Sequence, residues 1–215
     1  MQIIKYFIIV NIWFLILFMS SCATTTQFQT AKPTGKGNIS STSVVDIGSN
    51  FKNDGYIMIE AIINRGITEN LDFVSKINTQ ACVSLGAKYT FFVNRDSTSF
   101  IAVGPSLNYN YGTFNATLPL YITYNLSDKF SFTITPSFTS PGAKVSRDIE
   151  KANLRDLSEA SFGLSPYFEL GRNVKFVFGG NFNFSSSNIY VDFGIGIKLS
   201  PPPKIFSRGW FFTDK

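Results

Sequence analysis

The stretch "FSFTITPSF", Phe130 to Phe138, alternates in character along its length. Phe130, Phe132, Ile134 and Phe138 share one parity, and Ser131, Thr133, Thr135 and Ser137 share the other. A strand sends successive side chains to opposite faces, so this stretch presents one greasy face and one hydroxylic face. The fold turns on whether the greasy face meets a protein core or lipid.

The same alternation recurs from Ile39 to Leu199. About ten runs, near 39–49, 56–65, 71–78, 81–92, 99–110, 114–124, 130–139, 161–170, 174–184 and 188–199, are separated by turn residues at the spacing of an all-β barrel. Leu118, Leu120 and Ile122 share a parity, as do Phe176 with Phe178, and Phe193 with Ile195 and Ile197. The charges follow the same division. Asp46, Glu60, Asp72, Lys76, Lys88, Glu169, Lys175, Asp192 and Lys198 all fall on the polar parity. Arg65 breaks the rule at a strand end, where its long stem can reach lipid headgroups.

Two architectures satisfy such a pattern. A soluble lipocalin-like barrel turns the greasy face inward to hold an apolar ligand, and a membrane barrel turns it outward. The polar face carries Gly86, Gly104, Gly163, Gly179, Gly194 and Gly196 among many Ser, Thr and Asn. Small residues suit the crowded inside of a narrow barrel, whereas a soluble exterior uses Lys and Glu. Charged residues are 15% of the chain, against about a quarter in soluble domains. The sequence therefore predicts a single antiparallel up-and-down transmembrane β-barrel of about ten strands over 39–199, with eight strands as the alternative. Glu60, Asp72, Lys76, Lys88, Glu169, Lys175, Asp192 and Lys198 are expected to line its lumen. Pro105, Pro119, Pro136 and Pro166 fall inside strands and cannot donate to a ladder, so bulges are expected there.

The chain opens with "MQIIKYFIIVNIWFLILFMSSC", a single lysine followed by a short apolar run and small residues, which reads as a signal peptide over 1–21. Met19-Ser20-Ser21-Cys22 resembles the bacterial lipobox. That resemblance implies acylation of Cys22 after cleavage, and Ala23 in place of Asp favours the outer membrane. Residues 22–38 are polar and aperiodic and read as a tether, and 200–215 as a C-terminal tail. Connections alternate in character. "TEN" (68–70), "SDK" (127–129) and "GRN" (171–173) are short, and Pro141 to Ala160 is the longest. The mixed charges of Val145 to Ala160 read as a solvated loop or a short helix within one. In a membrane barrel the short turns are periplasmic.

At "GITENLDF" (66–73), "LGAKYTFF" (85–92) and "PLYITYNLSDKFSFTITPSF" (119–138), behind the lipobox and "TGKG" (34–37), the chain resembles bacterial outer-membrane β-barrel lipoproteins. The resemblance implies location in the outer membrane, contact with its lipids and insertion by the barrel-assembly machinery. It brings no active site with it.

Chemistry is constrained by what is missing. The chain has no histidine, which removes the ordinary base for a serine nucleophile. A carboxylate pair such as Glu60 with Asp192 competes with interior ion pairing to Lys76, Lys88 or Lys175, and the pairing is favoured. With no spaced ligand set, no metal or other cofactor is expected. Cys82 reads as a small filler. The formal net charge of +5 is unclustered, so no nucleic-acid partner is expected. The expected function is non-enzymatic: a lipid-anchored outer-membrane barrel acting in surface or envelope interactions through 141–160, with a narrow transport pore as the alternative.

Overall fold

A computed structural model of the chain describes residues 27–50, 55–79, 82–110, 113–144, 160–186 and 189–200. The strands are β1 (Ile39–Asn50), β2 (Gly55–Gly66), β3 (Leu71–Asn78), β4 (Val83–Val93), β5 (Ser99–Val103), β6 (Ser106–Asn110), β7 (Thr113–Asn125), β8 (Phe130–Thr139), β9 (Ala143–Lys144), β10 (Ser161–Gly171), β11 (Val174–Ser185) and β12 (Ile189–Leu199). Every pairing is antiparallel, β1 meets β12, and β3 meets β4, so the sheet closes. β5 and β6 keep one register against β7, and the register against β4 carries across Pro105 from Ser106 to Val103, so they are two halves of one strand. β9 is a two-residue run beside the start of β7. The result is a closed ten-stranded barrel, with boundaries within two residues of those read from the alternation.

A walk along paired residues that leaves β1 at Ile39 through Arg65 and Phe73 returns through Phe184 and Ile189 at the far end of β1. The shear is thus close to the 12 residues of that strand, which for ten strands sets a tilt of roughly 40°.

The greasy parity faces outward throughout. Ile195 is 70% exposed and Phe176 64%, whereas Asp46 and Asp72 are fully buried. A lipocalin-like barrel would show the reverse, so that alternative is excluded. Arg65 lies on the outside at the end of β2, as its parity requires.

The prolines behave differently from expectation. Pro105 separates β5 from β6, and its carbonyl accepts from the Ala87 amide at 3.1 Å. The β7–β8 ladder lacks the pairs of Leu120 and Tyr121 with Pro136 and Thr135, and the β10–β11 ladder lacks those of Ser165 and Pro166, yet both registers resume unchanged. The pairing of β8 with β10 runs through Pro136 and Pro166 without interruption. A missing donor costs a rung, and twisted neighbours need not slip to absorb it. The register shift of β4 against β5 falls instead between Thr90 and Phe92. It turns Phe91 and Phe92 outward together, where strict alternation would bury one of them.

One end of the barrel holds the turns 67–70, 94–98, 126–129 and 172–173, with the start of β1 and the end of β12. At the other end the intervals between strands, 51–54, 79–82, 111–112 and 186–188, are just as short in residues, and the long one is that between β9 and β10. Cys22, most of the loop assigned to Val145–Ala160, and the tail beyond Ser200 lie outside the described residues.

The largest departure concerns the tether. Residues 27–34, the middle of that polar stretch, run inside the barrel. Gln27, Phe28, Gln29, Thr30 and Ala31 are all buried, Ala31 completely.

Candidate functional site: the filled lumen

The lumenal segment reaches β1 through a tight reversal. Gly35 and Gly37 hold φ of 81° and 76°, a region open to glycine at little cost. The Gly37 amide donates to Gly66 O at 2.9 Å, and the Asn38 side chain caps Thr34 O at 3.1 Å. "TGKGN" is therefore a hairpin back into the barrel rather than a loose linker.

Within the lumen the wall grips mainly the segment's backbone. Lys88 Nζ donates to Thr30 O at 2.9 Å and to Lys32 O at 2.8 Å. Thr90 Oγ1 donates to Ala31 O at 2.6 Å, and the Ala31 amide donates to Thr123 Oγ1 at 2.8 Å. The Thr34 amide and hydroxyl both donate to the Asp72 carboxylate at 3.0 Å. Lower dielectric strengthens each of these bonds and raises the cost of leaving any of them unmade.

Two side chains are also received. The Gln27 amide oxygen accepts from Tyr121 OH at 3.0 Å and from Lys76 Nζ at 3.4 Å. Phe28 packs among Val44, Ile62, Val74, Tyr167 and Val177, edge-on to the Tyr167 ring at 5.5 Å. Its ring lies where a Cβ on Gly194 would be, and a Cβ on Gly179 would press on it at 3.1 Å. These wall glycines make a cradle for an aromatic ring. Ala31 occupies a second niche among Phe100, Ala102 and Tyr121.

The eight charges expected in the lumen are all placed on the inner face. Glu60, Asp72, Lys76, Lys88, Glu169, Asp192 and Lys198 are buried, and Lys175 is half-buried. Asp46 joins them. Asp72 and Lys88 face each other across β3 and β4 and form an ion pair at 3.1 Å. Glu169 sits between Lys175 and Lys198, each at 2.6 Å, and accepts further bonds from Tyr167 OH at 3.0 Å and Ser131 Oγ at 3.4 Å. Asn181 Nδ2 donates to Asp192 at 3.1 Å. The carboxylates considered together in the sequence are kept apart: β1 lies between them, with Glu60 opposite Val44 and Asp192 opposite Gly48. Four positions along a strand are roughly 13 Å. That spacing offers no shared-proton dyad, and the carboxylates that do pair take lysines.

Sequence reasoning found the wall and missed its occupant. Gln27, Phe28, Thr30, Ala31 and Thr34, and their partners Thr90, Tyr121, Thr123 and Tyr167, carry no periodic signal that distinguishes a lumenal contact. The available signal was Phe28, a lone aromatic in a polar run, set against the inward glycines of β11 and β12.

No protein-family model matches the chain, and no curated protein does. Solved structures do match. The NanC porin aligns with 74% of this chain and 100% of its own, at 8% identity and a TM-score of 0.48. The KdgM porin aligns with 74% of this chain and 99% of its own, at 10% identity and a TM-score of 0.43.

Proposed function

We propose that the chain is an outer-membrane pore of narrow bore, held shut by its own residues 27–34. The observation that supports this reading is the occupied lumen. Small barrels are ordinarily filled by their own wall side chains. Here the wall's glycines, serines and threonines leave the width of one polypeptide chain, and a segment outside the wall takes that space. With the segment withdrawn, Lys76, Lys88, Lys175 and Lys198 would line the passage against Asp46, Glu60, Asp72, Glu169 and Asp192. So mixed a lining favours small solutes of either sign over sharp ion selection. The outer-membrane setting rests on the continuous apolar exterior and on closure, since only a sheet without edges can span lipid. An interaction module working through 141–160 is the competing reading; the lumen favours the pore.

Planar-bilayer recording tests it. The full chain is expected to be closed nearly all the time, and a chain lacking 23–33 is expected to give steady unitary currents. A shortened chain that inserts, shows native strand content and stays silent would sink the reading. Anchoring at Cys22 belongs to the same proposal: fatty-acid labelling should mark the wild type and vanish in Cys22→Ala, and equal labelling of both would remove the anchor from it.

A further inference from the structure

We infer that the lumen is a binding site for a polypeptide segment, filled in cis by residues 27–34 and able to accept the same sequence in trans. This rests on the pore reading's premise that the segment can leave, though not on the empty lumen conducting.

The chemistry of the contacts is that of peptide recognition. Three successive carbonyls, of Thr30, Ala31 and Lys32, accept from Lys88 and Thr90, and the amides of Ala31 and Thr34 donate to Thr123 and Asp72. Any peptide carries those groups, so they supply affinity without selecting a sequence. Selection comes from three places. Tyr121 and Lys76 read an amide oxygen at the Gln27 position. The Gly179–Gly194 cradle takes an aromatic ring at the next residue. The niche at Ala31, which is fully buried among Phe100, Ala102 and Tyr121, admits only a small side chain. The site therefore reads an amide, an aromatic and, three positions further on, a small residue. Main-chain hydrogen bonds supply affinity and side-chain pockets supply specificity, the division of labour of peptide recognition. Here they act on a segment that turns at Gln27–Gln29, where the Gln29 amide donates to Gln27 O at 2.7 Å.

The covalent link to β1 is a single short reversal at 35–38 and adds none of these contacts. It acts by raising the effective concentration of the segment at the wall, which for a short connection is in the millimolar range. A free peptide must therefore be offered to a chain whose own segment has been spoiled.

The test uses the full-length chain with Phe28→Asp and Ala31→Trp, which leaves every wall residue as it is. The probe is a fluorescein-labelled peptide of residues 25–36 in the native sequence. Saturable binding is expected, at least tenfold weaker for a peptide carrying the same two substitutions and at least tenfold weaker on the wild-type chain. Absent or equal binding of the two peptides overturns the inference, even where the substituted chain conducts and the pore reading stands. Specific binding to a barrel that never conducts would sustain the inference and remove the pore. If the substituted chain does not fold, hydrogen exchange on the wild type decides. The amides of Ala31 and Thr34 should exchange at least tenfold faster than those of β1 and β12, and equal protection would make the segment a permanent part of the wall.

Discussion

Replacing Lys88 by methionine is expected to open the barrel. Its ammonium is buried, pairs with Asp72, and donates to two carbonyls of the lumenal segment. The ion pair is lost whether the segment is seated or not, so it contributes little to the balance between the two states. The two carbonyl bonds exist in the seated state alone. Hydrogen bonds from a charged donor contribute about 1.5–3 kcal/mol each, so the seated state should lose about 3–6 kcal/mol relative to the withdrawn one. At 1.4 kcal/mol per factor of ten, that is a rise of about two to four orders of magnitude in the open-to-closed ratio. Methionine keeps most of the side chain's volume, so packing against the wall changes little. Bilayer recordings of Lys88→Met against Lys88→Arg provide the check. Arginine keeps the charge and several donors, and should stay much nearer the wild type. Closed traces from a folded Lys88→Met barrel would show that the grip on the segment lies elsewhere.

Glu169→Leu is expected to cost the fold more than any other single charge removal in the lumen. Lys175 and Lys198 stand directly opposite each other in register on β11 and β12, a like-charge juxtaposition that destabilises a sheet. Glu169 reconciles them by taking one on each oxygen. Leucine would leave two ammonium groups facing each other with little water, and would strip Tyr167 of the acceptor for its hydroxyl. Breaking a buried charge cluster by removing one partner costs about 3–5 kcal/mol. Urea unfolding of the barrel in lipid, followed by circular dichroism, should show the midpoint fall accordingly. Adding Lys198→Met to Glu169→Leu should restore a substantial part of the loss. A double variant no more stable than Glu169→Leu would mean that the lysines are not what the glutamate serves.

Most of the wall was legible in the sequence, because lipid and a packed lumen impose opposite demands on adjacent residues. Phe176 and Lys175 are neighbours in the chain and cannot exchange faces without a charge entering hydrocarbon, so parity alone settles their sides. The bulge of β4 was not legible, since Phe91 and Phe92 suit the outside equally and nothing local marks the extra residue. The prolines misled for a related reason. A lost donor is visible in the sequence, but whether neighbouring strands slip or simply skip a rung is decided by their own pairing on the far side. The lumenal segment was the least accessible element. It has no period because it is neither helix nor ladder strand, and its polar composition is what a tether and a plug both require. Its partners, from Lys76 to Gly194, are brought to it only by closure.

That closure has a consequence in time. Ala31 bonds a residue 92 positions away and Gln27 one 94 positions away, and the cradle around Phe28 is completed by Gly194 of the last strand. The chain's earliest described residues are therefore housed by its latest. Contacts of such long sequence separation form slowly, because loop entropy is lost before they return anything. Until β12 meets β1, the sheet has two unpaired edges and Phe28 has no cradle. Sealing the seam and seating the segment thus belong to one late step of maturation, and an intermediate in which β12 has not yet met β1 is the species most exposed to aggregation.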